Sequence, residues 1–247
     1  MKAMILAAGL GTRLRPLTDN RPKALIEVGG VPILERVILS LKESGFESLI
    51  VNVHHFADQI IDFLDSHDYG IKIKISDERE TLLDTGGGIV KASSLMFEKD
   101  RYPVLIHNVD IMTDANLTEL MDEAEKNGGG GTLLVSKRDS SRKLIFDKDN
   151  NLRGWHNLTT GQYRPEGFVP EHGDRQLAFS GIYVLTYEGV KEMERLLGKG
   201  KYSVTEYFLD SHRESPLKGL EKEGLKIMDI GKPASLERAN EIYTTQR

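Results

Sequence analysis

The densest group of chemically useful residues lies near the N-terminus, in the run Gly9-Leu10-Gly11-Thr12-Arg13-Leu14-Arg15-Pro16-Leu17-Thr18. It directly follows the apolar segment Lys2–Ala8, which predicts a buried strand. Glycines at the end of a strand allow backbone N–H groups to approach a polyphosphate closely. Thr12 adds a hydroxyl donor, and Arg13 adds a planar cation with several donors that suits phosphate oxygens. The pattern therefore predicts a phosphate-binding loop.

Lys23 follows Pro22 further along the same segment, and we expect it to bring a compact positive charge to the same phosphates. Two other phosphate loops fit the sequence less well. A Walker loop needs Gly-Lys-Ser/Thr after its spacer, and a dinucleotide fingerprint that began at Gly9 would need glycine where Leu14 stands. The structural alternative is a tight strand-to-helix turn with incidental charges, which the density of polar and cationic residues disfavours.

Two aspartates follow or end predicted strands later in the chain. Asp110 follows the strand Val104–His107, and Asp229 lies near the end of the strand Gly224–Ile230. The carboxyl ends of strands form the edge at which α/β sheets bind ligands. Magnesium in proteins takes one or two carboxylates together with substrate phosphates and waters. A single aspartate at a strand end is more often a turn or helix-cap residue, so the residues alone leave both interpretations open.

The segments that must position these residues alternate between short β-rich runs and amphipathic runs. Such alternation predicts a parallel sheet with right-handed crossovers. The elements predicted in the first half are strands Lys2–Ala8, Ser48–Val53, Ile71–Ile75 and Val104–His107, and helices Val31–Ser44, Ala57–Leu64 and Ile89–Met96, the last preceded by a loop that ends at Thr85–Gly88.

The pattern changes at Arg142. A β-hairpin is predicted there, because Lys143–Asp147 and Leu152–His156 flank the turn sequence Lys148-Asp149-Asn150-Asn151. The other predicted elements are helices Leu117–Lys126, Glu188–Leu197, Thr205–His212 and Ser235–Thr244, strands Thr132–Val135, Leu177–Leu185 and Gly224–Ile230, and a solvated charged segment, Lys218–Lys226. No linker divides the chain, so residues 1–247 are interpreted as one α/β domain: a Rossmann-like, mixed, mainly parallel sheet flanked by helices, with a β-rich insertion.

Composition excludes several classes of function. The chain has 247 residues and a net charge of −5, so its overall charge does not favour binding to nucleic acid or to an anionic membrane. It contains no cysteine, which excludes disulfides, thiolate catalysis and thiolate metal sites. No apolar run is long enough to cross a bilayer or to form a signal peptide. We therefore expect a cytoplasmic protein.

Taken in order, these motifs resemble the sugar-1-phosphate nucleotidyltransferases, also called nucleoside-diphosphate-sugar pyrophosphorylases, over nearly the whole chain. Besides the N-terminal loop, the matching segments are Val51-Asn52-Val53-His54-His55, Leu83-Asp84-Thr85-Gly86-Gly87-Gly88-Ile89, Asn108-Val109-Asp110-Ile111, Ser180-Gly181-Ile182-Tyr183 and Asp229-Ile230-Gly231. Within the family, the short chain is similar to N-acetylmuramate-1-phosphate uridylyltransferases and to mannose- or heptose-1-phosphate guanylyltransferases.

The resemblance implies the nucleotide-diphospho-sugar transferase fold and a reaction between a nucleoside triphosphate and a sugar 1-phosphate, with Mg²⁺ as cofactor and pyrophosphate as the second product. It implies that Arg13, Lys23 and Asp110 are catalytic and that Asp110 and Asp229 hold the metal. The nucleotide-binding residues that it implies are Leu6, Ala7, Ala8, Gly9, Gly11, Thr12, Arg13, Lys23, Gly87 and Gly88. The resemblance also implies three weaker candidates for substrate binding, which are Asn108, Gly181 and Glu206.

The chain departs from the family pattern in places that concern the acceptor. Gly231 is followed by Lys232, where relatives often have threonine, and no Glu-Lys-Pro element occurs between Arg138 and Phe179. Trp155, in the predicted hairpin, is interpreted as a packing residue.

The substrates stay open between alternatives. UTP is favoured and GTP is next, while a phosphocholine-type cytidylyltransferase and a non-catalytic nucleotide-sugar sensor are the alternative functions. We expect a monomer or weak dimer.

Overall fold

Strands and helices alternate along the first half of the chain, as the sequence predicts. The computed structural model describes residues 1–210 and 212–244. The elements of the first half are β1 (Lys2–Leu6), β2 (Glu27–Val28), β3 (Val31–Pro32), α1 (Ile33–Glu43), β4 (Ser48–Val53), α2 (Ala57–Asp65), β5 (Lys72–Asp77), α3 (Asp84–Met96), β6 (Val104–Asn108), β7 (Ile111–Thr113) and α4 (Leu117–Asn127).

The second half contains most of the antiparallel strands. Its elements are β8 (Gly131–Ser136), β9 (Arg142–Phe146), β10 (Leu152–Asn157), β11 (Gln162–Arg164), β12 (Arg175–Leu185), α5 (Tyr187–Leu197), α6 (Val204–Phe208), β13 (Leu217–Glu221), β14 (Ile227–Asp229) and α7 (Pro233–Thr244).

Among the described residues, ten strands join into one sheet. Its main path has the order β11-β10-β9-β12-β6-β1-β4-β5, and β8 pairs with both β12 and β13. The strands β6, β1, β4 and β5 are parallel to one another, whereas β12 runs antiparallel to β6. The α/β class with a mixed sheet and a β-rich insertion is thus confirmed.

The register of the three central parallel strands aligns their carboxyl ends. Leu6, the last residue of β1, lies beside Asn52 of β4 on one side and Asn108 of β6 on the other. Two polar side chains therefore flank the point where β1 passes into the glycine-rich segment. This edge of the sheet is where ligands bind in open α/β folds.

Each face of the sheet is covered by its own apolar core. Alternate residues of β1 point to opposite faces, so Ala3 and Ile5 belong to one cluster and Met4 and Leu6 to the other. Helices α1, α2 and α4 pack on the first face, and α3, α5 and α6 pack on the second. The two cores hold the central strands rigidly behind the ligand-binding edge.

The β-rich insertion grows from the long strand β12. Its N-terminal part pairs with β9 and its C-terminal part with β6. The pairing of β12 with β8 has a register shift between Phe179 and Tyr183. Gly181 lies in that shift with a φ of +81°, in the left-handed region that favours glycine. Strands β9 and β10 form the predicted hairpin, and Trp155 packs partly buried against the second core. The packing interpretation of Trp155 is confirmed.

Four sequence predictions were wrong in detail. Gly86–Gly88 do not belong to a loop, because α3 already begins at Asp84. The segment Lys218–Lys226 is not merely a solvated surface, since β13 pairs in parallel with β8 through five residues. The predicted strand Gly224–Ile230 is shorter, as β14, and the helix predicted over Thr205–His212 ends at Phe208. Local composition could not predict these differences because partner segments distant in sequence determine them.

No helix in the described ranges combines the length and apolarity needed to cross a membrane. The interpretation of residues 1–247 as one domain stays a prediction.

Candidate active site

A cleft of about 410 Å³ opens at the carboxyl ends of β1, β4 and β6. The aligned residues Leu6, Asn52 and Asn108 line it. Most of the residues predicted to bind the nucleotide or to act in catalysis also lie there. The remaining lining consists of residues 7–13, Lys23, Leu82, Asp84, Thr85, Val109, Asp110, Lys201 and Gly231.

The glycine loop, residues 7–13, offers backbone donors to an anion. In the part of the chain that the structure describes, no acceptor is bonded to the backbone N–H groups of residues 8–11. Gly9 is exposed, and, apart from Gly9 and its two chain neighbours, no atom of the described residues lies within 4 Å of the position that a Cβ would occupy. Consecutive N–H groups of this kind favour binding of phosphate oxygens, and glycine at position 9 leaves the adjoining cleft space open.

Gly11 has a different, structural reason to be glycine. Its φ is +65°, and a Cβ there would lie 2.9 Å from Thr18 Cγ2 and 3.0 Å from Lys23 Cβ. The Gly11 carbonyl accepts hydrogen bonds from the Leu14 N–H and the Thr18 hydroxyl, both at 2.9 Å. The turn therefore places the glycine loop directly against the stem of Lys23.

Lys23 is paired directly with Asp110. Its Nζ donates to Asp110 Oδ2, and the two side chains are 11% and 16% exposed. Solvent screens such a half-buried ion pair less than it screens a surface salt bridge. The sequence predicts that both residues act on the phosphates, but it does not predict that they bond to each other.

The pairing of β7 with β14 brings Asp229 to the same edge as Asp110. Asp229 lies opposite Ile111 in this antiparallel pair, and the Ile230 N–H donates to the Asp110 carbonyl at 2.8 Å. Asp229 is exposed, and its Oδ1 accepts from the Gly231 N–H at 2.8 Å. Of the two predicted metal ligands, Asp229 thus ends β14, and Asp110 immediately precedes β7, the strand with which β14 pairs.

Arg13 lies close to the second of these aspartates. A Cβ built on Gly231 would lie 2.5 Å from Arg13 Nη2 and 2.7 Å from Asp229 Oδ1. The guanidinium and the carboxylate therefore lie on the same side of Gly231, and that glycine leaves room for both. The site joins Arg13, Lys23, Asp110 and Asp229, which belong to four separate segments of the sequence.

The chemistry of the two carboxylates fits a magnesium ion. One oxygen of Asp110 accepts from Lys23 and one oxygen of Asp229 accepts from Gly231, and within residues 1–210 and 212–244 no donor is bonded to the second oxygen of either. Magnesium prefers oxygen ligands and commonly completes its shell with substrate phosphates. No group of three or more His, Asp or Glu side chains in these ranges could hold a metal ion by itself. The residues suit a metal that is bound partly by substrate.

Of the three weaker candidates for the substrate site, only Asn108 lines the described cleft. Asn108 lines the cleft, and a Cβ on Gly181 would lie 2.8 Å from Asn108 Nδ2, so the two residues are neighbours. Glu206 instead accepts two hydrogen bonds from the Arg164 guanidinium, at 2.7 and 3.3 Å, which ties α6 to the β-rich insertion. Neither Gly181 nor Glu206 lies in the described cleft lining, and their binding roles stay predictions.

Gly87 and Gly88 are buried in the first turns of α3, and neither belongs to the described cleft lining. A Cβ on Gly87 would overlap the Gly200 carbonyl, and one on Gly88 would lie 2.7 Å from Glu78 Oε1. These contacts explain by packing why both positions are glycine. The role of the two residues in nucleotide binding stays a prediction.

The structure adds cleft residues that the sequence did not single out for the site. Asn52 is a polar residue inside an apolar strand, which is a signal that could have identified it. Asp84 and Thr85 begin α3 at the cleft, and Asp84 has a φ of +60°, uncommon for a residue other than glycine. Lys201 carries no comparable sequence signal, because only the fold brings its segment against α3.

Comparison with known proteins agrees with this geometry. The N-acetylmuramate alpha-1-phosphate uridylyltransferase of Caulobacter vibrioides is 46% identical over 111 residues, which are 44% of this chain and 45% of that protein. The mannose-1-phosphate guanyltransferase of Emericella nidulans is 30% identical over an alignment covering 99% of this chain and 65% of that protein. The chain thus matches about half to two thirds of the length of these relatives.

The fold is shared with solved structures. HddC from Yersinia pseudotuberculosis, in its complex with GMP-PN, superimposes with a TM-score of 0.75 over 98% of this chain and 99% of that chain, at 22% identity. The family model described as nucleotidyl transferase matches residues 2–246, nearly the whole chain. Together with the 30% identity over 99% of the chain, this match shows that the chain belongs to the nucleotidyl transferase family.

Proposed function

We propose that this protein transfers a nucleotidyl group from a nucleoside triphosphate to a sugar 1-phosphate and releases pyrophosphate. The observation that carries the proposal is that Arg13, Lys23 and Asp110 line one cleft, while Asp229 lies beside Arg13 at Gly231, a residue of the same lining. Two strongly charged anions must meet in this reaction, so the catalytic need is alignment and charge stabilisation.

The chain's own residues supply that stabilisation. An oxygen of the sugar phosphate attacks the α-phosphorus, and pyrophosphate leaves on the opposite side. Arg13 stabilises the charge that develops on the pyrophosphate, and the backbone N–H groups of residues 8–11 bind the triphosphate. Lys23 contacts the triphosphate or the sugar phosphate. The attacking phosphate is already ionised, so the reaction needs no general base.

Asp110 and Asp229 are the residues that would hold Mg²⁺. When bound, the ion would neutralise phosphate charge and orient the phosphate oxygens. Lys23 fixes the direction of the Asp110 carboxylate, because its Nζ donates a hydrogen bond to Asp110 Oδ2.

The relatives support two candidate nucleotide donors. UTP is the proposed donor, in line with the similarity to an N-acetylmuramate alpha-1-phosphate uridylyltransferase. GTP is the second candidate, because the similarity to a mannose-1-phosphate guanyltransferase extends over 99% of the chain.

The proposal is tested by incubating the purified protein with Mg²⁺ and a matrix of four nucleoside triphosphates against several sugar 1-phosphates and phosphocholine. Pyrophosphate release is measured. We expect one productive pair of UTP or GTP with a sugar 1-phosphate. Pyrophosphate release only with CTP and phosphocholine would show a phosphocholine-type cytidylyltransferase instead. Tight nucleotide binding without any pyrophosphate release would favour a non-catalytic nucleotide-sugar sensor.

Variants of one loop make this test specific. Arg13→Ala should lower kcat about 100-fold or more, because it removes a cation that acts on the developing charge. Arg15→Ala is the matched control, since Arg15 is exposed, pairs with Asp19 at 3.4 Å and lies outside the described cleft lining. Equal losses in both variants would contradict the role of Arg13.

A further inference from the structure

A fully buried carboxylate, Glu78, lies behind the cleft rather than in its lining. Its Oε1 accepts a hydrogen bond from Asn52 Nδ2 at 2.8 Å, and its Oε2 accepts from the Leu83 N–H at 3.3 Å. Burial raises the pKa of this carboxyl group. A fully buried acidic group requires a structural or functional explanation.

Asn52 connects this carboxylate to the glycine loop. Its Oδ1 accepts a hydrogen bond from the Ala7 N–H at 2.7 Å, while its Nδ2 donates to Glu78. A side-chain amide has one accepting end and one donating end. Because Glu78 accepts from the donating end, it fixes the accepting end toward Ala7.

The same carboxylate reaches the opposite wall of the cleft. Leu83, whose N–H it binds, immediately precedes α3, and Asp84 and Thr85 at the start of that helix line the cleft. Gly88 gives the carboxylate its space, because a Cβ there would lie 2.7 Å from Glu78 Oε1 and 3.0 Å from Asn52 Nδ2. Glu78 therefore bonds both to Asn52, which holds the glycine loop, and to Leu83, which precedes α3.

We propose that Glu78 is a positioning residue for the nucleotide site. Through Asn52 it sets the backbone of Ala7, from which the glycine loop begins, and through Leu83 it sets the start of α3. It touches no substrate itself. The inference rests on the proposed function only in assuming that the cleft binds a nucleotide.

Glu78→Gln tests the proposal because it keeps the size of the side chain and replaces one acceptor by an NH₂ donor. If that NH₂ faces Asn52, the Asn52 amide must turn, and its own NH₂ then meets the Ala7 N–H. If the NH₂ faces Leu83 instead, two donors meet there. Either orientation loosens one wall of the cleft.

The first measurement is hydrogen exchange of individual amides by NMR, together with the Kd for UTP and GTP. In Glu78→Gln we expect the Ala7 amide to exchange about tenfold faster or more, or the amides of Leu83 and Thr85 to do so, and nucleotide Kd to rise about tenfold. The amides of Met4 and Ile5, inside β1, should keep their exchange rates.

Glu192→Gln is the matched control. Glu192 is also buried and accepts hydrogen bonds from the Tyr207 hydroxyl at 2.9 Å and the Glu214 N–H at 2.7 Å, outside the described cleft lining. It should lose stability without changing these amides or nucleotide Kd. Gly88→Ala is a second test, because its methyl group displaces the Glu78 side chain without replacing the carboxyl group. It should also accelerate hydrogen exchange of the Ala7 amide.

Unchanged exchange at Ala7, Leu83 and Thr85 in a folded Glu78→Gln protein would overturn the proposal. If Glu78→Gln does not fold, unchanged exchange at Ala7 in Gly88→Ala would do so. Exchange requires no turnover, so a wild-type protein without transferase activity would refute the proposed function and leave this test intact.

Discussion

At the scale of single residues, neighbouring glycines serve different purposes. Gly9 adjoins open space in the cleft and has no positive φ, whereas Gly11 has a φ of +65° and touches Thr18 and Lys23. The sequence predicted a phosphate-binding loop from both glycines together. It could not separate their roles, because the contacts of Gly11 depend on how the chain returns at Lys23.

Paired substitutions separate the two roles. Gly9→Ala should leave the free energy of unfolding within about 1 kcal/mol of the wild-type value, since an ordinary φ accepts alanine. It should raise the KM for the nucleotide about tenfold, because the methyl group takes cleft space. Gly11→Ala should lower the free energy of unfolding by about 2 kcal/mol through backbone strain and overlap.

Urea denaturation and initial rates measure these effects. Unchanged nucleotide KM in Gly9→Ala would show that no substrate approaches this part of the loop. An unchanged free energy of unfolding in Gly11→Ala would remove the structural reason given for that glycine.

At the scale of elements, α3 shows a tertiary contact that overrides local propensity. Three consecutive glycines predict a loop, yet Gly86–Gly88 are helical. The Gly86 N–H donates to the Tyr202 carbonyl at 2.9 Å, and the Gly87 N–H makes a longer bond, at 3.3 Å, to the same oxygen. The Gly200 carbonyl lies against Gly87. The segment that caps the helix is more than a hundred residues away in sequence, so local reasoning could not include it.

This packing makes a prediction about α3. Gly87→Ala should lower the free energy of unfolding by about 2–3 kcal/mol, because its methyl group would overlap the Gly200 carbonyl, which is rigid backbone. Gly200→Ala, on the other side of the contact, should change it by less than about 1 kcal/mol, since a Cβ there has no neighbour within 4 Å.

Thermal or urea unfolding of the two variants gives the comparison. Equal stability of Gly87→Ala and Gly200→Ala would show that α3 and residues 199–203 are not in close contact.

Other elements show how far sequence patterns reach. The apolar spacing in α1 predicted a helix that buries Leu34, Val37, Ile38 and Leu41, and all four are buried. Strand β13 was missed because Lys218 and Glu221 lie in a charged stretch, and only its pairing with β8 makes it a strand. Periodicity predicts elements that bury one face, while strands added at the edge of a sheet need knowledge of the partner.

At the scale of the whole molecule, a buried histidine in the central sheet links stability to pH. His107 of β6 is buried, and burial lowers its pKa from 6.5 to about 4. Above pH 6.5 the imidazole is neutral in both the folded and the unfolded chain. Between pH 6.5 and 4 the unfolded chain binds the proton and the folded chain does not, so the free energy of unfolding falls as pH falls.

His107 should account for a loss of about 3 kcal/mol across that window. Urea denaturation at several pH values should show a smaller pH dependence in His107→Gln than in the wild type. The exposed His172→Gln is the control and should keep the wild-type dependence. The same slope in His107→Gln and wild type would contradict the burial of a neutral imidazole.

The arrangement of the site also belongs to this scale. The sequence predicted strand-end aspartates and two cations, and the fold brings Arg13, Lys23 and Asp110 into one cleft with Asp229 beside Arg13. The ion pair of Lys23 with Asp110 and the bond from Ile230 to Asp110 join the two ends of the chain. No spacing rule predicts such contacts, because they depend on sheet order rather than on distance along the sequence.

The fate of labelled phosphorus in the productive nucleoside triphosphate distinguishes nucleotidyl transfer from hydrolysis and from phosphoryl transfer. With the matching sugar 1-phosphate and Mg²⁺, label in the α position should appear in the sugar nucleotide, and label in the γ position should appear in pyrophosphate. Neither product should form without the acceptor. Label from the α position in free nucleoside monophosphate, or from the γ position in inorganic phosphate or on the sugar, would contradict nucleotidyl transfer.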